Sequence, residues 1–201
     1  MTIIFDLDET LCETDRYSEE FIRSFFIENR IPVKQIATNT RFAEEKFNWS
    51  HQDALRWYKE YGDEMFLNFP CKEKAVEVLN SLYEAGHRII IATARSTDWH
   101  AEPKKMTLAW LKNNGIKFHK IYFAVENKEK VCEIEDADIF IDDDIKTTSR
   151  VAKYFEQKGK GKSYLITSNY NKNLQIAPKV KRVESLSDFY YEIEPDTVYD
   201  L

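Results

Sequence analysis

Acidic residues are the clearest candidates for chemistry in this chain, and they lie in two clusters that are far apart in sequence. Asp6 and Asp8 follow a short apolar run in IIFDLDETL, and the aspartates at 142–144 close the apolar segment IFIDDD. Aspartate carboxylates can act as nucleophiles, carry a proton as acid or base, and bind hard cations. Brought together, the two clusters would suit metal-assisted transfer of a group to a carboxylate oxygen.

Residues that could bind an anion lie between the two clusters. The segment IIIATAR ends an apolar run with Thr93, Ala94 and Arg95, and KEKVC opens with Lys128. Phosphoryl transfer needs an oxygen nucleophile, a proton donor for the leaving alcohol and fixed positive charge around the transferring group. Asp6 and Asp8 could divide the first two tasks. Lys128 would supply charge, and the Thr93 hydroxyl would donate to the phosphoryl oxygens.

A gathering of carboxylates at one place needs a counter-charge, because like charges at close range raise one another's pKa and oppose folding. A hard divalent cation removes this conflict. Mg²⁺ prefers oxygen ligands and often retains several waters, so carboxylates, water and one bound phosphate are a usual environment for it. The charge pattern therefore predicts Mg²⁺ as the cofactor.

A parallel sheet would bring these residues together. Residues 2–5 predict a buried strand that stops at Asp6, and from Pro70 onward helical and strand patterns alternate. The predicted helices are KEKAVEVLNSLYEAGH, KKMTLAWLKNNG, NKEKVCEIED and TTSRVAKYFEQKG, and the predicted strands after the first are RIIIATAR, KIYFAV, ADIFIDDD and KSYLITS. This alternation is typical of a doubly wound α/β sheet, whose ligands bind at the carboxyl ends of the strands. A short helix is also predicted in the tail after Val183.

Between the first strand and Pro70 the chain is helical and aromatic, with no convincing strand pattern. We therefore expect a core domain of residues 1–13 and 70–201 and an all-helical cap of residues 14–69. Most of the cap's aromatic side chains should form its own small core, and one or two could face the cleft as a stacking surface for a base. The aromatic residues considered are Phe42, Phe47, Trp49, Trp57, Tyr58 and Phe66.

Composition excludes several classes of protein. The chain is 43% hydrophobic and 32% charged, which is typical of a globular protein, and it has no long apolar run for a membrane span. A formal charge of −6 disfavours duplex nucleic acid as a partner. The three cysteines lack metal-ligand spacing, and Met1 leads directly into an apolar strand, so a reducing cytoplasm is expected. Either a monomer or a homodimer is compatible with these features.

Four segments in order, DLDET, IIIATAR, a lysine at the head of a helix, and IFIDDD, resemble the four motifs of the haloacid dehalogenase (HAD) superfamily. The cap region, the segment WYKEYGDEMFLNFP and the spacing from NKEKVC to IDDD are similar to the 5'(3')-deoxyribonucleotidase family and its bacterial relatives. This resemblance implies a three-layer Rossmann-like core with a parallel sheet and a small helical cap. It also implies Mg²⁺-dependent hydrolysis of phosphomonoesters through an aspartyl-phosphate intermediate, with (deoxy)nucleoside monophosphates as substrates.

The resemblance also implies a role for each motif residue. Asp6 would be the nucleophile and a metal ligand, and Asp8 would be the acid and base, with its backbone carbonyl on the metal. Thr93, Ala94, Arg95 and Lys128 would bind the substrate phosphate, Lys128 also orienting Asp6, and Asp142 or Asp143 would complete the metal site. The sequence leaves open which of these two aspartates is the direct ligand, whether Lys130 replaces Lys128, and whether Arg95 instead forms a salt bridge.

One position departs from the superfamily pattern, because Glu9 occupies a place where most members have glycine. The form DLDET is also seen in phosphatases of the RNA polymerase tail, which leaves a phosphoprotein phosphatase as an alternative. A sugar-phosphate phosphatase and a phosphate-binding regulatory domain without turnover are further alternatives. The presence of Asp8 favours phosphate-ester hydrolysis over a binding role, because a binding domain would not need a proton carrier.

Overall fold

The computed structural model describes residues 1–32, 34–38, 40, 43–98 and 100–195. Its elements in chain order are β1 (Thr2–Phe5), α1 (Asp15–Glu28), α2 (Ala43–Lys46), α3 (His51–Asn68), α4 (Ala75–Glu84), β2 (Arg88–Ala92), α5 (Pro103–Asn113), β3 (Lys120–Tyr122), α6 (Lys128–Ile134), β4 (Ile139–Asp142), α7 (Ile145–Lys158), β5 (Lys162–Ile166), β6 (Val180–Val183) and α8 (Leu186–Ile193).

The strands form one parallel sheet, which has six strands within the described part of the chain, in the order β3-β2-β1-β4-β5-β6. The chain moves outward from β1 to β3 and then crosses back to place β4 on the other side of β1. The strand order therefore reverses between β1 and β4, where open α/β sheets bind their ligands. The ladder extends to the site itself, since the Asp6 amide donates to the Ile141 carbonyl at 2.9 Å.

Apolar side chains of the strands alternate between two buried clusters. Ile3 and Phe5 pack in one cluster with residues of α4, α5 and α8. Ile4 and Phe140 pack in the other with residues of α6 and α7. Because successive side chains of a strand point to opposite faces, helices cover both faces of the sheet. The predicted three-layer α/β architecture is confirmed.

Besides small shifts at the ends of other elements, the structure differs from the expected elements at β6, β3 and α4. β6 was not predicted, because VKRV is short and its two central residues are charged. β3 ends at Tyr122, earlier than the segment KIYFAV suggested. α4 begins at Ala75 rather than at residue 72, because Lys74 before it adopts a left-handed conformation with φ of 64°. None of these differences affects the strands that carry the predicted site residues.

Helices α1, α2 and α3 lie between β1 and α4, in the region expected to form a cap, and aromatic rings hold them together. The Trp49 ring lies 5.1 Å from Phe26 and 5.6 Å from Trp57 between ring centroids. Phe47 and Trp57 are fully buried, and they belong to the same hydrophobic cluster as Ile3 and Phe5 of β1. Phe42 lies outside the described residues. Across the part of the chain that is described, no helix has the length and apolar character needed to cross a bilayer.

Candidate active site

The first cluster of the site joins the ends of β1 and β4 to the start of α6. The Lys128 ammonium lies 2.5 Å from Asp6 Oδ1 and 2.7 Å from Asp142 Oδ2, and all three side chains are buried. The second oxygen of Asp142 accepts a hydrogen bond from the Asp144 amide at 2.7 Å. One cation therefore holds the carboxylates of two neighbouring strands in fixed positions.

The position of Lys128 separates it from Lys130. The Asn127 side chain caps α6 by accepting from the Lys130 amide at 3.2 Å, so the helix begins with Lys128 turned toward the sheet edge. Lys130 is exposed. The geometry thus brings Lys128, and not Lys130, to the carboxylates.

Three carboxylates lie close enough to share a cation. Oxygen atoms of Asp6, Asp142 and Asp143 all lie within 4.8 Å of one another. The backbone carbonyl of Asp143 accepts from the Tyr170 hydroxyl at 2.7 Å and from the Asn171 side-chain amide at 2.8 Å, which holds this turn in place. Buried carboxylate oxygens are suitable ligands for Mg²⁺. Both Asp142 and Asp143 are at the cluster, so the choice left open by the sequence stays open.

The electrostatics of this cluster reflect its burial. Burial raises the pKa of Asp6 to about 7, and the neighbouring Asp142 and Asp8 act in the same direction, while Lys128 opposes them. Although burial disfavours a charged amine, Asp142 and Asp6 raise the pKa of Lys128 above its ordinary value. The cluster therefore carries more negative charge than one lysine balances, which is the condition that a divalent cation relieves.

Asp8 has a different partner. The Arg95 guanidinium donates to Asp8 Oδ1 from Nη2 at 2.6 Å and to Oδ2 from Nε at 3.1 Å. Although burial disfavours the ionised carboxylate, Arg95 lowers the pKa of Asp8 below its usual value. The two aspartates of the first motif are thus separated electrostatically, one beside Lys128 and the other beside Arg95.

The remaining residues of the second motif lie at the end of β2. Thr93 is fully buried, its amide donates to the Tyr122 carbonyl at 3.0 Å, and its hydroxyl accepts from the Arg95 amide at 3.2 Å. Ala94 and Ser96 line the cavity above the cluster. Ser96 was not singled out from the sequence, although its place directly after IIIATAR could have indicated it.

A cavity of about 430 Å³ lies over the cluster, a size suited to a small-molecule ligand. Its lining comes from the sheet edge on one side and from the helical region on the other. The sheet-edge residues are Asp6, Asp8, Glu9, Ala94, Arg95, Ser96, His100, Lys128 and Asp143. The helical region contributes Thr14, Asp15, Ser18, Glu19, Ile22, Lys46, Tyr58, Met65, Phe66 and Phe69. Of the described aromatic residues that the sequence singled out, Tyr58 and Phe66 line the cavity.

Glu9 links the first motif to helix α1. It adopts a left-handed conformation with φ of 55°, which explains why glycine suits this position. Its Oε1 accepts from the amides of Thr14 and Asp15, both at 2.7 Å, and so satisfies donors at the start of α1. Its second oxygen lies 3.4 Å from the Lys72 ammonium. The departure from the superfamily pattern is therefore a structural connection between the site and α1.

Lys46 is a buried cation that the sequence did not indicate. Its ammonium pairs with Asp15 and, at 3.1 Å, with Glu19, so the wall of the cavity formed by α1 and α2 is polar. Burial raises the pKa of Asp15 above its ordinary value. No motif marks this group, because its members meet only when the helices pack.

His100 occupies a tight position between the sheet edge and α3. Its ring centroid lies 4.1 Å from that of Phe66 and 5.4 Å from that of Tyr58. A Cβ atom at Gly62 would lie 2.1 Å from His100 Nδ1, so only glycine fits there. Burial lowers the pKa of His100 to about 4, with Arg95 acting in the same direction. The imidazole is therefore neutral at ordinary pH.

Solved structures of HAD hydrolases resemble this chain over nearly their whole length. The HAD-hydrolase YfnB from Bacillus subtilis, bound to magnesium, aligns with a TM-score of 0.65 and 16% identity, covering 96% of this chain and 98% of that one. CbbY from Rhodobacter sphaeroides in complex with phosphate aligns with a TM-score of 0.62 and 14% identity over 92% and 94% of the two chains. D,D-heptose 1,7-bisphosphate phosphatase from B. bronchiseptica, complexed with magnesium and phosphate, aligns with a TM-score of 0.54 and 11% identity over 98% and 100%. At these identities the likeness establishes a shared fold.

A family model identifies the group to which the sequence belongs. The family described as 5' nucleotidase, deoxy (pyrimidine), cytosolic type C protein (NT5C) matches residues 1–194, which include all four motifs. The chain has no match among curated proteins. A family match over almost the entire chain agrees with the HAD fold of the structural neighbours. The chain therefore belongs to the NT5C family and is a HAD-type phosphatase related to nucleotidases.

Proposed function

We propose that the protein is a magnesium-dependent 5'-nucleotidase that hydrolyses (deoxy)nucleoside monophosphates through a phosphoaspartate on Asp6. The observation that carries this proposal is the contact of Asp6 with Lys128, beside two further aspartates and at the base of a cavity of about 430 Å³. A buried carboxylate next to a cation and a metal-binding cluster is suited to attack phosphorus. Membership of a 5' nucleotidase family supports the same activity.

The metal would be held by Asp6, by Asp142 or Asp143 or both, and by the backbone carbonyl of Asp8. Bound there, Mg²⁺ would neutralise charge on the transferring phosphoryl group. Lys128 would bind a phosphoryl oxygen and keep Asp6 oriented for attack, since its ammonium already contacts the carboxylate. The clustered carboxylates support this assignment of ligands.

The reaction would proceed in two transfers. Asp6 attacks phosphorus, the bond from phosphorus to the substrate oxygen breaks, and Asp8 gives a proton to the leaving alcohol. Because Arg95 lowers the pKa of Asp8 in the free enzyme, Asp8 would take up this proton from solvent when the negatively charged phosphate binds beside it. Water then attacks the phosphoaspartate, Asp8 takes a proton from it, and inorganic phosphate leaves Asp6 as a free carboxylate. Thr93 and Ala94, which directly follow β2, would bind phosphoryl oxygens; Ala94 lines the cavity, whereas fully buried Thr93 would have to turn its hydroxyl toward it.

The nucleoside part of the substrate would occupy the side of the cavity lined by the helical region. Ile22, Tyr58, Met65 and Phe66 offer an apolar wall on that side, and aromatic rings there could stack on a base. We propose that residues 14–69 act as a cap that closes over the bound substrate and excludes water during transfer. Such a cover argues against a phosphoprotein substrate, which needs an open site.

A sugar phosphate is a second candidate substrate, because the wall formed by α1 and α2 is polar. Buried Lys46 forms ion pairs with the partly exposed carboxylates of Asp15 and Glu19, and these groups line the cavity with Ser18 beside them. Their oxygens and ammonium group could hydrogen-bond the hydroxyls of a sugar. This wall is the observation that favours the second candidate over a phosphoprotein.

Three cysteines, Cys12, Cys71 and Cys132, are unpaired thiols. Free thiols are usual in a reducing compartment, and we therefore propose that the protein works in the cytoplasm. We propose a small phosphorylated metabolite as its partner, bound by a monomer or a homodimer.

Phosphate release from a panel of substrates would test the activity. The panel contains nucleoside 5'- and 3'-monophosphates, sugar phosphates and a phosphopeptide, each with and without Mg²⁺. We expect Mg²⁺-dependent release that is fastest with deoxynucleoside monophosphates. Asp6→Asn should abolish it, whereas Asp188→Asn, an equally conservative change at an exposed position in α8, should leave it unchanged. Preference for sugar phosphates would show that the proposed substrate is wrong and would leave the mechanism unchanged. Substantial activity of Asp6→Asn would refute the assignment of Asp6 as nucleophile.

A further inference from the structure

Arg95 is the most completely occupied cation of the site. Each of its three guanidinium nitrogens has a partner: Nε and Nη2 donate to Asp8, and Nη1 donates to the Thr107 hydroxyl at 2.9 Å. Nη2 also lies 3.5 Å from the Cys12 sulfur. The side chain is only 5% exposed. A phosphate ligand needs donors directed at the substrate, and four of the five N–H groups of Arg95 are directed at Asp8, Cys12 and Thr107.

Two helices hold the guanidinium in this orientation. Its carbon lies 3.8 Å from the centroid of the Phe66 ring in α3, a close cation–π contact, and Thr107 belongs to α5. A planar guanidinium fixed on both its face and its edge can hold a carboxylate in one orientation. The packing of α3 and α5 therefore fixes the orientation of Arg95, and Arg95 in turn fixes the orientation of the Asp8 carboxylate.

We infer that Arg95 is a positioning residue that orients the Asp8 carboxylate for proton transfer, with Phe66 of α3 holding Arg95 in place. This inference rests on the proposed role of Asp8 as acid and base. Asp8 Oδ1 accepts two hydrogen bonds from Arg95, from Nη2 at 2.6 Å and from Nε at 3.2 Å. Within the described residues, Oδ2 accepts one, from Nε at 3.1 Å. Oδ2 is thus the oxygen that exchanges the proton with the leaving alcohol and with water.

Substrates with different leaving groups separate this role from phosphate binding. The alkoxide that leaves a nucleoside monophosphate must be protonated, whereas the phenolate that leaves p-nitrophenyl phosphate needs no proton. Because kcat/KM reports the steps through transfer to Asp6, loss of oriented Asp8 should lower it selectively for the alkyl ester. General acid catalysis is worth roughly 10²–10⁴-fold in rate.

The test compares kcat/KM of the two substrates in the wild type, Arg95→Ala and Asp8→Asn. We expect Arg95→Ala to lower the value about 10²-fold for the nucleotide and less than about tenfold for p-nitrophenyl phosphate, in the pattern given by Asp8→Asn. Phe66→Leu removes the ring and keeps an apolar side chain. Because Phe66 also lines the proposed base site, this variant is compared on a sugar phosphate and p-nitrophenyl phosphate, and kcat/KM for the sugar phosphate should fall selectively by a smaller factor than in Arg95→Ala. Equal losses with both substrates would overturn the inference in favour of a phosphate-binding or purely structural role, and so would no loss.

Arg88→Ala serves as the matched control. Arg88 lies at the opposite end of β2, and its partner Glu135 keeps Lys120 at 2.7 Å. Both kcat/KM values should stay unchanged in this variant. If the wild type hydrolyses p-nitrophenyl phosphate and sugar phosphates but no nucleotide, the nucleotidase proposal fails. The role of Arg95 is then tested with a sugar phosphate as the alkyl ester in place of the nucleotide. Absence of hydrolysis of every ester would contradict both proposals.

Discussion

The two aspartates of the first motif depend on different cations, and this separation bears on how they divide the chemistry. Asp6 shares Lys128 with Asp142, and burial raises its pKa to about 7. Asp8 has Arg95, which lowers its pKa below the usual value against the effect of burial. A divalent cation bound at this cluster would be the largest local charge and would favour ionised Asp6. In the proposed mechanism, Asp6 would therefore be ready to act as nucleophile only with the metal bound.

Binding of Mg²⁺ should raise the melting temperature, and more so at pH 8 than at pH 5.5. With a pKa of about 7, Asp6 holds a proton at pH 5.5 that must leave before the metal binds, whereas at pH 8 it is already ionised. Without metal, the folded state binds the extra proton between pH 3.8 and 7, so this group favours folding as the pH falls through that range. Thermal unfolding with and without Mg²⁺ at both pH values measures the effect. A Mg²⁺ shift that is equal at the two pH values would contradict it.

His100 should make the protein less stable on acidification. Its pKa is lowered from 6.5 to about 4 by burial, so the unfolded chain binds a proton between these values that the folded chain does not. The stability present above pH 6.5 is lost as the pH falls, by about 2 kcal/mol at pH 5. We expect His100→Gln to reduce the difference in unfolding free energy between pH 7 and pH 5, measured with urea. His51→Gln, at an exposed histidine, should not reduce it.

The individual chemical groups were largely predictable from the sequence, but their partners were not. Asp6, Lys128 and Asp142 were identified because they follow or precede strand patterns at one edge of a parallel sheet. The contacts of Arg95 with Phe66 and Thr107 depend on how α3 and α5 pack, which local patterns do not encode. The same holds for the pairing of Lys46 with α1.

The turn after β1 connects the site to helix α1 through the side chain of Glu9. A left-handed conformation at a residue other than glycine costs roughly 1–2 kcal/mol. The hydrogen bonds to the Thr14 and Asp15 amides offset this cost, as a helix cap does. Backbone strain and helix capping are therefore balanced within one residue.

Substitutions at Glu9 should separate these two effects. Glu9→Ala keeps the strained conformation and loses the cap, so we expect it to lower the unfolding free energy by about 1–2 kcal/mol. Glu9→Gly also loses the cap but relieves the strain, so it should cost less. Urea unfolding of both variants gives the order, with Glu20→Ala at an exposed site on α1 as control. An alanine variant as stable as the glycine variant would contradict this explanation.

Helices and strands with strong periodicity were predicted well, and the weak ones were not. The strands that pair with β1 are continuous apolar runs, and the long helices show one apolar face. β6 has charged residues at its centre and lies at the edge of the sheet, so neither alternation nor an apolar run marks it. Its place depends on pairing with β5, a contact that only the folded chain provides.

The helical region and the sheet share one hydrophobic interior. Phe25 and Trp57 belong to the same buried cluster as Ile3 and Phe5 of β1. A cap that packs continuously with the core gains much of its stability from that contact rather than from its own small interior. Over the described residues, the packing thus favours one cooperative folding unit.

Trp57→Ala should therefore destabilise the whole molecule and not the cap alone. Removing a fully buried tryptophan costs about 3–5 kcal/mol. We expect a single unfolding transition, at lower denaturant than in the wild type, that is the same by circular dichroism and by the fluorescence of the other tryptophans. Two separate transitions would indicate that the cap unfolds independently.

The reversal of strand order at β1 has a consequence for synthesis of the protein. Asp6 precedes its partner Lys128 by 122 positions, and the neighbouring strand β4 comes later still. Sheets built from such distant pairings fold slowly. During translation Asp6 therefore emerges well before Lys128, Asp142 and Asp143. Products that stop before β4 lack Asp142 and Asp143, so we expect them to be inactive.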